Sequence, residues 1–138
     1  MDNRIYVDTN IFIDLLDSSR PWASGSFEVL QTFMRNGKEL FINSDTVTNA
    51  YYVCNKTKKY EHSVLVSLLE KVVSLFTVVG IDNSEVMEAL HLCGDDTLAF
   101  KDYEDALQYV CAKKVEADLI VTNDKGFVSL DIELKGTK

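Results

Sequence analysis

Proline, cysteine and histidine are scarce in this sequence, and acids outnumber basic residues; each shortage narrows what the protein can be. Pro21 is the only proline. Its surroundings, DSSRPWASGS, read as a loop between helices and not as a domain boundary. Cys54, Cys93 and Cys111 form an odd set without C-x-x-C spacing, which reads as three buried or half-buried thiols in a reducing compartment. His62 and His91 are isolated and share no ligand spacing with the cysteines, so no zinc site is expected. Long apolar runs are missing too. None approaches the roughly 20 residues that cross a bilayer, and no membrane association is expected. MDNR leads straight into a strand-like segment with no secretory leader, which makes the cytoplasm the expected compartment. Positive charge is the last shortage, with 14 lysines and arginines against 22 acids and a net charge of −8. Proteins that bind nucleic acid by neutralising phosphates usually carry the opposite sign. Two explanations fit: a basic partner, or an acidic pocket that becomes neutral only when it holds metal ions.

What is present is an alternation of apolar runs and helical patterns. At 138 residues the chain is long enough to bury a core, and residues 1–138 are expected to form a single domain without repeats or linkers. RIYVD (4–8) reads as a strand, NIFIDLLDS as a helix, and 22–36 as a second helix stopping at Asn36-Gly37. KELFINS is a strand, and SDTVTNAYYVCNKT is a helix for which Ser44 and Asp45 are suitable caps. Residues 61–74 carry apolar positions at spacings of three and four, the mark of an amphipathic helix. LFTVVGI is a strand, SEVMEALHLC and KDYEDALQYVCAKKVEA are helices, DLIVT is a strand, and FVSLDIEL offers a short final one. Runs of Val, Ile and Leu separated by helices predict an α/β fold of three layers, a mainly parallel sheet of about five strands covered on both faces.

In such a sheet, strand C-termini and helix N-termini share one edge, where ligands bind. Asp8 ends the first strand and Asp124 follows DLIVT. Asp102 and Asp105 begin the helix before DLIVT, and Asn49 lies early in the helix after the second strand. A spacing of three sets Asp102 and Asp105 near one helix face, with Glu104 expected to point away. Simpler roles exist for each acid: helix-dipole stabilisation for Asp102, Glu104 and Asp105, an N-cap for Asp8, a turn with Lys125-Gly126 for Asp124. Several carboxylates gathered without histidine suit a hard divalent cation such as Mg²⁺ or Mn²⁺, which activates water for phosphodiester hydrolysis.

The segments YVDTNIFIDLL, KDYEDALQYVCAKKVEADLIVTND and the following Gly126-Phe127 resemble the PIN domain, the ribonuclease fold of VapC-type toxins, over nearly the whole chain. The resemblance implies a metal-dependent endoribonuclease, the toxin of a toxin–antitoxin pair, with an RNA substrate, a small antitoxin partner and a homodimer. It implies that Asp8, Asp105 and Asp124 bind the metal, with Asn49 completing the catalytic set. Thr9 and Thr122 are then water-positioning hydroxyls, Asn10 orders the loop after the first strand, and Asp102 is an extra acid at the rim. Two positions depart from the family pattern. Asn49 stands where a glutamate is usual, removing a charge, and Asn123 stands where an arginine is common. Asp45, one turn before Asn49, is expected to cap its helix. Lys56, Lys58, Lys59, Arg20 and Arg35 are the candidate RNA contacts, with a solvated helix end as the simpler reading of the lysines. Trp22, Phe27, Phe33, Tyr51 and Tyr52 are expected mostly in the core, although the resemblance implies that the region of about 10–36 meets the antitoxin. A second function stays open: a catalytically weakened PIN-like module that binds RNA or protein, with Asn49 as the mark of decay. A phosphotransfer protein of the receiver or dehalogenase type fits less well, because no second acid stands two residues after Asp8 and only Lys125 follows IVTND.

Overall fold

Ile5, Tyr6 and Val7 are each fully buried, which requires that the strand they form be covered on both faces. The computed structural model, which describes residues 3–138, meets that demand. In chain order the elements are β1 (Arg4–Val7), α1 (Thr9–Asp14), α2 (Ala23–Arg35), β2 (Glu39–Asn43), α3 (Ser44–Lys56) and α4 (His62–Val73). Then come β3 (Thr77–Val79), α5 (Asn83–Gly94), α6 (Tyr103–Lys114), β4 (Leu119–Val121) and β5 (Glu133–Lys135). The strands lie in the order β3-β2-β1-β4-β5 and every pairing is parallel. This is the three-layer α/β/α arrangement that the sequence pattern predicts.

Alternation along the strands divides the core in two. Ile5, Val7, Leu40, Ile42, Leu119 and Val121 face α1 to α4, against Ile11, Phe12, Leu30, Leu65 and their neighbours. Tyr6, Phe41, Val79 and Ile120 face α5 and α6. Helix α6 is buried along Ala106–Ala112 because it lies between the sheet and α5, and its alanines permit the close approach. Helix α2 stops where expected: Gly37 takes φ +72°, its N–H donates to the Met34 carbonyl, and that of Lys38 donates to the Phe33 carbonyl.

Three local expectations need correction. The last strand is Glu133–Lys135, only the end of FVSLDIEL and one residue past it, because the chain must cross back before it can lie parallel to β4; Phe127 instead fills the core on the α6 side. Helix α3 is capped by Asn43, whose side chain accepts from the Thr46 N–H at 2.9 Å, so neither Ser44 nor Asp45 is the cap. Asp45 is an exposed first-turn residue. Trp22, Phe27 and Tyr52 are exposed and not core, since α2 buries the stripe Ala23, Ser26, Leu30 and leaves Phe27 outside it. Phe33 and Tyr51 are half-buried.

Tyr6 carries a strain of polarity. Its hydroxyl is buried near Asn43 and Thr46 but makes no well-formed hydrogen bond. A buried unpaired hydroxyl costs about 1–3 kcal/mol, so Tyr6→Phe should leave stability unchanged or raise it by up to about 1 kcal/mol. A drop in the urea midpoint would show that the hydroxyl is satisfied after all.

Candidate active site

Strands β1 and β4 are neighbours, and their covering helices lie on opposite faces, so a crevice opens at their carboxyl ends. Asp8 sits there at the N-cap position of α1, yet its carboxylate caps nothing. It is 2% exposed, and each of its oxygens is held from another element. Gln108 Nε2 of α6 donates to Oδ1 at 2.9 Å, and Thr122 Oγ1 after β4 donates to Oδ2 at 2.7 Å. Gln108 also accepts the Thr9 N–H at 3.0 Å. Thr9 Oγ1 shares a 2.9 Å hydrogen bond with Thr46 Oγ1, which ties the site to α3. Thr122 is doubly used, because its Oγ1 accepts the Asp124 N–H at 3.0 Å. Asp124 itself is exposed and accepts the Gly126 N–H at 2.8 Å, an Asx-type turn that aims its carboxylate.

Asp105 enters from the first turn of α6. Burial, and then the charges of Asp8, Asp102 and Asp124, push its carboxyl up to about 7. Burial also raises Asp8, more than Thr122 and Gln108 lower it, with the Asp124 charge adding to the rise. Such mutual repulsion marks a place that favours positive charge. Among the described residues, no three acidic, histidine or cysteine side chains already stand close enough to grip one ion. The donor set around the crevice is nonetheless all oxygen, mostly carboxylate and half-buried or deeper apart from Asp124, which suits a hard divalent cation and not zinc.

Not every candidate joins this group. Asp102 stays at the rim, exposed: it caps α6, its Oδ1 accepting the Asp105 N–H at 3.0 Å, and its charge reaches Asp105 and Glu104. Asn10 is exposed within α1; β1 runs directly into that helix, so there is no loop for Asn10 to order. Asn49 of α3 does reach the site, through Glu104: its Nδ2 donates to Glu104 Oε2. Glu104 therefore does not point away. It is half-buried, and burial, then the charges of Asp8, Asp102 and Asp45, raise its carboxyl. Of the basic candidates, Arg20 is bound to buried Asp14 at 2.6 Å and Lys59 to Asp17 at 2.6 Å. Lys56, Lys58 and Arg35 are exposed. Gln108 went unnoticed in the sequence, although a glutamine inside the apolar run ALQYVCA, one turn after Asp105, is a signal that a buried polar group needs a partner there.

A sequence profile of the PIN domain matches residues 4–126. Ribonuclease VapC1 of Aquifex aeolicus (strain VF5) is 36% identical over 135 residues, which takes in 98% of this chain and 91% of that protein. VapBC2 from Rickettsia felis, solved bound to a DNA fragment from their promoter, superposes with a TM-score of 0.72 at 18% identity, covering 96% of this chain and 98% of that one. Mycobacterium tuberculosis VapC20, a sarcin-ricin loop cleaving toxin, superposes with a TM-score of 0.68 at 14% identity, covering 91% of this chain and 98% of that one. The two structures speak for the fold. The profile and the relationship to VapC1, each spanning most of the sequence, place the lineage: this chain belongs to the PIN domain family.

Proposed function

We propose that the chain is a VapC-type endoribonuclease, the toxin of a toxin–antitoxin pair, and that Mg²⁺ or Mn²⁺ held by Asp8, Asp105 and Asp124 is its cofactor. The observation that carries this reading is the convergence on one crevice of acids from the end of β1, the first turn of α6 and the turn after β4, in a chain 36% identical to a ribonuclease. When bound, the ion supplies Lewis-acid activation of water and neutralises charge on the phosphodiester. The chain's own part is to hold the acids. Gln108 and Thr122 fix both oxygens of Asp8, and Thr122 also anchors the turn that carries Asp124. The network through Thr9 and Thr46 keeps α3 against α1.

On this reading the antitoxin docks against the α1–α2 side of the chain. Exposed Phe27 joins Leu15, Tyr60 and Leu68 around a cavity of about 410 Å³, which adjoins a second of about 400 Å³ lined by Val64 and Leu68. No helix among the described residues is long and apolar enough to cross a membrane. The alternative, a weakened binding module, rests on the missing carboxylate at Asn49. One experiment separates the two. Purified protein incubated with a mixed structured RNA pool should cut in Mn²⁺ and stop in EDTA. A folded protein that cuts nothing and takes up no metal in calorimetry would favour the binding module.

A further inference from the structure

The reading above leaves one acid of the crevice unused. Glu104 is the second residue of α6, next to Asp105, and turns its carboxylate toward α3, where it accepts from Asn49 Nδ2. A glutamate placed only to meet the positive end of the helix dipole has no reason to leave solvent. The Asp105 N–H of that first turn is already served by Asp102, so Glu104 is not needed as a cap. It is half-buried, and among the described residues no lysine or arginine forms an ion pair with it. Half-burying a carboxylate without a cation is unfavourable unless a donor or a metal compensates. The donor found is a neutral amide, at the α3 position where the sequence departs from the acid expected there.

We infer that the carboxylate absent from α3 is supplied from α6: Glu104 is a fourth acid of the metal site, and Asn49 is the positioning residue that holds it toward the crevice. The pair is reciprocal. A glutamate at 49 would set two carboxylates face to face, and an aliphatic residue would leave Glu104 without its donor. Asn49 is then the partner that a transposed acid requires and not a sign of decay. This inference rests on the metal-nuclease reading.

Calorimetric titration of the full chain with Mn²⁺ tests it, with circular dichroism melts in EDTA as the second readout. Glu104→Gln should weaken Mn²⁺ binding by about 10–100-fold, and Asn49→Ala should weaken it in the same direction but less. The double variant Asn49→Glu/Glu104→Gln, which returns the acid to α3, should bind within about threefold of wild type, far less than the roughly tenfold loss that a disturbed ligand environment brings. Asn49→Glu alone should melt at a lower temperature than wild type in EDTA, because it crowds Glu104. Glu104→Gln binding Mn²⁺ as tightly as wild type would overturn the inference while leaving the nuclease reading intact, as would Asn49→Glu melting no lower than wild type. Absence of Mn²⁺ uptake by cooperatively melting wild-type protein would overturn both.

Discussion

Replacing Asp8 by asparagine should lower the single-turnover rate of RNA cleavage by roughly 10²–10⁴-fold, with the fold intact. A metal-binding carboxylate contributes several kcal/mol to charge stabilisation in the transition state, and each 1.36 kcal/mol is a factor of about ten. Asparagine has the shape of aspartate and keeps one acceptor, so either the Gln108 or the Thr122 hydrogen bond can survive. It also removes one of the charges that raise Asp105. The melting temperature in EDTA should therefore shift by less than about 4 °C, the equivalent of roughly 1 kcal/mol in a chain of this size. Asp105→Asn should behave alike. A loss of cleavage under tenfold for either variant would remove that residue from the catalytic set.

Gln108→Leu should be the most destabilising substitution near the crevice. The side chain is fully buried and serves two elements at once, donating to Asp8 Oδ1 and accepting from the Thr9 N–H. Leucine fits the volume but leaves a buried backbone N–H unpaired and strips a carboxylate of a charge-assisted bond. Each such loss costs about 1–3 kcal/mol, so a total near 2–4 kcal/mol is expected, a fall of roughly 10 °C in melting temperature. Because Asp8 then loses one of its two anchors, Mn²⁺ affinity should fall as well, by about 10–100-fold. A variant that melts like wild type would mean that water replaces the amide. A variant that melts lower but binds Mn²⁺ as wild type does would confine Gln108 to a structural role.

The two predictions differ in how visible their residues were in the sequence. Asp8, Asp105 and Asp124 could be set on one edge without coordinates, because parallel strands joined by helices bring every strand C-terminus to the same side. Gln108 could be marked only as a polar residue in an apolar run. Its partners lie 99 and 100 residues away, at Thr9 and Asp8, and no local pattern names them.

By itself the sequence determined the parallel sheet and its covering helices, through β1, β2 and β4 as apolar runs separated by helical periods. It also determined the stop at Asn36-Gly37 and the edge on which the acids lie. Those are consequences of short-range periodicity and chain connectivity. The tertiary structure alone decided which way Glu104 faces, since spacing along a helix orders side chains about its axis but does not say that α3 packs beside that face. It likewise decided that Asn43 caps α3, that the last strand forms at Glu133–Lys135, and that Phe27 stands outside the core. Each depends on what a residue meets from elsewhere in the chain, and contacts between distant segments are set by packing, which no local window of sequence contains.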